Sequence, residues 1–116
     1  MATSQPIGTH MLINIANIPD HTVFNTVTAI KPLLDIIIEK CDLHVVAEAG
    51  HQFQPFGATY VYVLSESHMS IHTYPENNRA YMDIFCCNPT FDTTAAAEVI
   101  KKVFRTEDVD YTVMLR

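Results

Sequence analysis

A chain of 116 residues that is 48% hydrophobic, 17% charged and holds only three glycines is too apolar to stay disordered and long enough for one domain, read here as residues 1–116. Its net charge of −6 gives no footprint for a phosphate backbone, so nucleic acid is set aside as a partner, while a small cationic molecule is compatible with it. Apolar runs are broken by charge well short of a membrane span, and three cysteines, two of them adjacent, do not make a disulfide framework.

Residues 1–7 read as a loose polar start. Over 8–16, Met11, Ile13 and Ile15 alternate with His10, Leu12 and Asn14, which predicts a strand. From 21 to 40 the apolar spacing is helical, with Val23, Val27, Ile30, Leu34 and Ile37 or Ile38 on one side; Pro32 inside it predicts a kink or break. A short strand over 43–48 and a loop over 49–57, marked by Pro55 and Gly57, come next. Strands follow over 58–64, 68–74 and 80–87, the last two joined by a turn at 76–79. Ala96, Val99, Ile100, Val103 and Phe104 carry the helical repeat of a second helix over 92–105, and 109–115 closes the chain as a strand. The order β-α-β-β-β-β-α-β, with short loops between neighbouring strands, predicts an α+β fold: a two-layer sandwich, an antiparallel sheet with two helices on one face. No amino-terminal stretch combines basic residues, an apolar run and a small-residue cut site, so a reducing cytoplasm is the expected location.

The most unusual stretch is Ser65-Glu-Ser-His-Met-Ser-Ile-His-Thr-Tyr-Pro-Glu76, which packs serines, histidines and carboxylates into an otherwise apolar region. Alternation turns Met69 and Ile71 to the core and His68, Ser70, His72 and Tyr74 away from it. The same rule makes Cys86 core, with Met82 and Ile84, and puts Cys87 on the polar face with Tyr81, Asp83 and Phe85. A zinc site from His68, His72 and Cys87 fails, because residues four apart on a strand are ~13 Å apart. No metal is expected. A serine-hydrolase reading of Ser67 lacks the Gly-x-Ser-x-Gly elbow.

The same stretch, with Gly8-Thr-His10, His51-Gln-Phe53-Gln-Pro55-Phe-Gly57-Ala-Thr59 and Asp83-Ile-Phe-Cys-Cys87, closely resembles the short prokaryotic-type S-adenosylmethionine decarboxylase proenzymes, in order and spacing, over essentially the whole chain. The resemblance implies autocatalytic cleavage between Glu66 and Ser67 into fragments 1–66 and 67–116, with Ser67 converted into a pyruvoyl group. In such enzymes that group condenses with the substrate α-amine and acts as an electron sink when CO₂ leaves. By resemblance, His72 takes the Ser67 α-proton, Thr59 holds the ester or oxyanion through its hydroxyl, His68 helps to position the site, and Cys87 protonates the former α-carbon. Phe53 would lie against the adenine and Glu76 would hold the ribose hydroxyls. The family also implies a homodimer with sites at or near its interface, and a product that donates aminopropyl groups for spermidine synthesis.

The chain departs from the family pattern at some positions. Thr59 stands where many members have serine, Tyr74 where tryptophan is common, and Asn14 where an acidic residue is expected. Two rivals remain open from sequence: a pyruvoyl-dependent ornithine or arginine decarboxylase, which would need no adenine pocket, and an uncleaved, non-catalytic homologue.

Overall fold

The computed structural model describes residues 5–116. Its elements are β1 (Thr9–Ala16), α1 (Val27–Lys40), β2 (Val45–Gln52), β3 (Ala58–Leu64), β4 (Ser67–Tyr74), β5 (Arg79–Cys86), α2 (Thr93–Phe104) and β6 (Val109–Leu115). The strands form one antiparallel sheet in the order β2-β3-β4-β5-β1-β6. Both helices pack on one face, so the expected α+β two-layer sandwich is the observed one. Period-two alternation accounts for the core: Met11, Ile13, Ile15, Tyr62, Met69, Ile71 and Ile84 meet Ile30, Leu34 and Ile37 of α1 and Ile100 of α2. Among the described residues nothing packs over the opposite sheet face, which is bare in that sense, with Leu12, Val61, Val63, Tyr81 and Met114 exposed on it.

The first helix differs from the expectation. A short 3-10 turn at His21–Phe24, capped by Asp20, comes first. The Thr26 hydroxyl then starts α1 by accepting from Ala29 N–H at 3.0 Å. The break therefore falls before α1, and the helix runs on through Pro32. Pro32 lies on the solvent side, as does Thr28, whose carbonyl loses its donor to the ring.

The second difference is β2, which continues to Gln52 where a loop was expected from residue 49. Gly50 falls within that expected loop, yet it sits on the strand opposite Tyr60, whose ring would come within 2.9 Å of a Cβ there. Its bareness lets the strand continue under an aromatic ring. The loop over 53–57 is closed by Phe53 N–H donating to the Gly57 carbonyl at 2.8 Å.

The loose start expected over 1–7 lies for residues 1–4 outside the described residues. Ile7 and Gly8 are held: both N–H groups donate to the Arg116 carbonyl, at 2.5 and 2.7 Å. Gly8 also admits the Phe85 ring, which would stand 2.8 Å from a Cβ.

Candidate functional site

The β3–β4 hairpin is the tightest in the sheet. Only Ser65 and Glu66 lie between Leu64 and Ser67, which are paired across the hairpin. Two-residue hairpins match strand twist by using positive φ, at low cost only for glycine or asparagine. Here the positive φ falls on Ser67, at 145°, a region L-residues rarely adopt. The peptide bond entering Ser67 is thus held against an unfavourable backbone conformation.

Its carbonyl is also engaged. Glu66 C=O accepts from the Cys87 backbone N–H at 2.9 Å, one step beyond the Ser67 and Cys86 pairing of β4 with β5. Cys87 is exposed and Cys86 buried, as alternation indicated. Burial raises the Cys86 thiol and pushes that of Cys41 up to about 11. The Glu66 carboxylate accepts from His44 N–H at 3.1 Å and from His44 Nδ1 at 2.6 Å. Burial pushes this carboxyl up, but the His44 hydrogen bonds outweigh it and hold Glu66 below the usual carboxylate range. The same hydrogen bond raises His44.

A second group lies at the other end of β4. Thr59 and His72 are cross-strand partners, with Thr59 Oγ1 and His72 Nδ1 3.0 Å apart. With Phe53, Phe56, Tyr74 and Glu76 they line a cavity of about 320 Å³. His51, opposite Thr59 on β2, places its ring edge-on to Phe53 with centroids 4.7 Å apart. Behind the cavity the buried Thr73 hydroxyl donates to the Phe24 carbonyl at 2.7 Å and accepts from Ala58 N–H at 2.8 Å.

These two groups do not meet within one chain. Ser67 and His72 are five residues apart on β4, ~16 Å at about 3.3 Å per residue. The residues named from sequence thus divide into Glu66, Ser67, His68 and Cys87 at one end and Phe53, Thr59, His72 and Glu76 at the other.

Between them, on the bare face, lies a cluster that the sequence reading did not assemble. Asp83 Oδ2 accepts from His68 Nε2 at 2.8 Å and from His10 Nε2 at 2.7 Å, and Ser70 donates its hydroxyl to Oδ1. His10 Nδ1 accepts from the Arg116 guanidinium at 3.2 Å, which fixes the proton of His10 on Nε2. Burial raises the Asp83 carboxyl, but the bonds from Ser70, His68 and His10 together bring it below the ordinary range. Three ligand-type atoms here lie within 4.8 Å of one another. Both imidazoles nevertheless crowd one oxygen closer than the ~3.3 Å that separates ligands of a tetrahedral ion, and a guanidinium backs His10. The set is hydrogen-bonded rather than shaped for a cation. Alternation did put His68, Ser70 and Asp83 on one face; only strand order could add His10, 73 positions from Asp83.

Residues 9–116 match the model of the family described as S-adenosylmethionine decarboxylase. The chain belongs to this family. Proteins named S-adenosylmethionine decarboxylase proenzyme include one from Thermodesulfovibrio yellowstonii, 34% identical over 84% of this chain and 72% of that protein. Another, from Symbiobacterium thermophilum, is 35% identical over 94% of this chain and 82% of its own length. A crystal structure of the adenosylmethionine decarboxylase from Aquifex aeolicus is 30% identical and superposes with a TM-score of 0.86, covering 97% of this chain and 92% of that one. Asn14 lies on the bare face in the cross-strand row of His72 and Tyr81.

Proposed function

We propose that this chain is the proenzyme of a pyruvoyl-dependent decarboxylase acting on S-adenosylmethionine, and that it generates the pyruvoyl group from its own Ser67. The observation that carries the reading is the state of the Glu66-Ser67 bond, which enters a serine at φ 145° with its carbonyl already bonded to the Cys87 amide. A carbonyl facing a fixed amide donor is prepared for the negative charge that hydroxyl addition creates.

Ser67 Oγ adds to the Glu66 carbonyl carbon, the C–N bond breaks, and the hydroxyl proton passes to the Ser67 nitrogen, leaving an ester. His72, oriented by Thr59, removes the Ser67 α-proton as the ester C–O bond breaks, and Glu66 departs as the carboxyl end of fragment 1–66. Water then replaces the nitrogen of the unsaturated residue and ammonia leaves. The surroundings suit the resulting pyruvoyl group: a precursor hydroxyl, an amide donor and an exposed thiol stand at one strand start. When formed, this group supplies a carbonyl that takes up the electron pair released with CO₂. Cys87, whose thiol is exposed at this strand end, holds the proton for the former α-carbon.

His72 can reach a Ser67 only on another copy of the chain, given their ~16 Å separation on one strand. We therefore assign a homodimer through the bare sheet face, with Ser67 and Cys87 of one chain facing Phe53, Thr59, His72 and Glu76 of the other. Exposed Leu12, Val61, Val63 and Tyr81 suit such a contact. Phe53 and Glu76 lining one cavity favour a nucleoside-bearing substrate over ornithine or arginine. The product would be the aminopropyl donor for spermidine synthesis, and a cytoplasmic location fits the exposed free thiol of Cys87.

The test is denaturing intact mass after cyanoborohydride trapping, with S-adenosylmethionine, ornithine and arginine present together. Two fragments with one nucleoside-bearing adduct on 67–116 are expected. An ornithine or arginine adduct would reassign the substrate, and one uncut chain would point to a non-catalytic homologue.

A further inference from the structure

Resting on the self-cleavage reading, we propose that His44 is a positioning residue for that cleavage: it grips the Glu66 side chain so that the carbonyl of Glu66 stays against the Cys87 amide and within reach of Ser67. In the acyl shift only the carbonyl of Glu66 takes part: its C–N bond to Ser67 breaks, a C–O bond to Ser67 Oγ forms, and the hydroxyl proton moves to nitrogen. The side-chain carboxylate contributes no atom. It is nevertheless withdrawn from water at the tip of a two-residue loop, at 12% exposure, with a dedicated partner.

Three bonds tie His44 to the loop. Ser65 N–H donates to the His44 carbonyl at 2.8 Å, His44 N–H donates to Glu66 Oε1 at 3.1 Å, and His44 Nδ1 donates to Oε2 at 2.6 Å. The Cys87 amide holds the same residue from the β5 side. Glu66 is thus fixed at both its carboxylate and its carbonyl, and the unfavourable φ of Ser67 lies directly beyond the fixed residue. Released from the grip, the loop can relax Ser67 toward an ordinary extended conformation and lose the attack geometry. The groups facing this pair are Asp42, whose Oδ1 is 3.6 Å from His44 Nε2, and the buried thiol of Cys86 on the Glu66 side. Both carboxylates favour the imidazolium, so the charged form of His44 makes the stronger grip.

The experiment follows cleavage of the newly translated full chain by denaturing mass, chased into buffers on either side of the His44 pKa. His44→Ala should slow the appearance of the 67–116 fragment by about tenfold to a hundredfold. Because His44 is exposed, its melting temperature should stay close to that of the wild type. His44→Asn puts an amide N–H where Nδ1 stands and should restore most of the rate. The wild-type advantage over His44→Ala should be largest below the raised pKa and shrink above it, while that of His44→Asn should not change with pH. Equal rates for wild type and His44→Ala at every pH overturn this proposal alone, as does an asparagine variant as slow as alanine. A wild-type chain that never cuts overturns it together with the function it rests on.

Discussion

At Ser67 two demands conflict. Strand β4 asks for an ordinary extended residue, and the two-residue loop asks for a glycine-like one. The chain carries serine, the residue the proposed reaction consumes. Ser67→Ala should therefore yield one uncut, inactive chain by mass, and fragments appearing in that variant would remove Ser67 as the nucleophile. Cys87→Ala keeps the amide that faces Glu66 and should still cut, but turn over poorly; unimpaired turnover would take the thiol out of the mechanism. Asp83 allows a prediction with a definite sign. Its carboxyl lies below the ordinary range in the folded chain, so its contribution to stability is complete above the ordinary carboxylate pKa and is lost as pH falls through the lowered one. Asp83→Asn should cost about 1–3 kcal/mol near neutrality, and the gap should close in acid melts. Ser67, His68 and His72 stand out in sequence because they share one short stretch with period-two order, and Cys87 because the same alternation on the next strand separates it from Cys86. The partnerships of His10 with Asp83 and of His44 with Glu66 were not legible, because they depend on which segments become neighbours, and pattern along the chain does not encode that.

The same distinction separates the elements read well from those misread. β3, β6 and α2 carry strong periodicity, and their observed limits lie within a residue of those expected. The extent of β2 was hidden because Ala49, Gly50 and His51 look like a loop until the Tyr60 ring occupies the space above the glycine. Pro32 misled in the other direction: a proline that faces water costs one hydrogen bond and leaves α1 unbroken. What fixes the cavity end of the sheet is the Thr73 hydroxyl, which joins β4, β3 and the turn before α1. Thr73→Val keeps the shape and orphans both partners, so it should destabilise by about 1–3 kcal/mol in denaturant melts. A loss near zero would mean that the Phe24 carbonyl and Ala58 amide find other partners.

For the assembly, the separation of Ser67 from His72 predicts complementation. A Ser67→Ala chain and a His72→Ala chain, each uncut alone, should on mixing during synthesis give cleavage of the His72→Ala chain only, since that chain supplies the serine and its partner the histidine. Failure to cut in the mixture would mean that the halves do not join across copies. Glu introduced at Val61 should leave a folded monomer by light scattering, slow to cut, because the charge falls on the bare face proposed as the contact. Strand order carries a last consequence. The first 66 residues supply β1, β2 and β3, and the rest supply β4, β5 and β6, yet in the sheet β1 lies between β5 and β6. Cutting at Glu66 would therefore leave two interwoven peptides joined along three seams, β3 with β4, β5 with β1, and β1 with β6. Neither could be drawn out without unzipping the other, so the covalent break need not loosen the molecule, and the two pieces made as separate polypeptides should find each other and rebuild the whole.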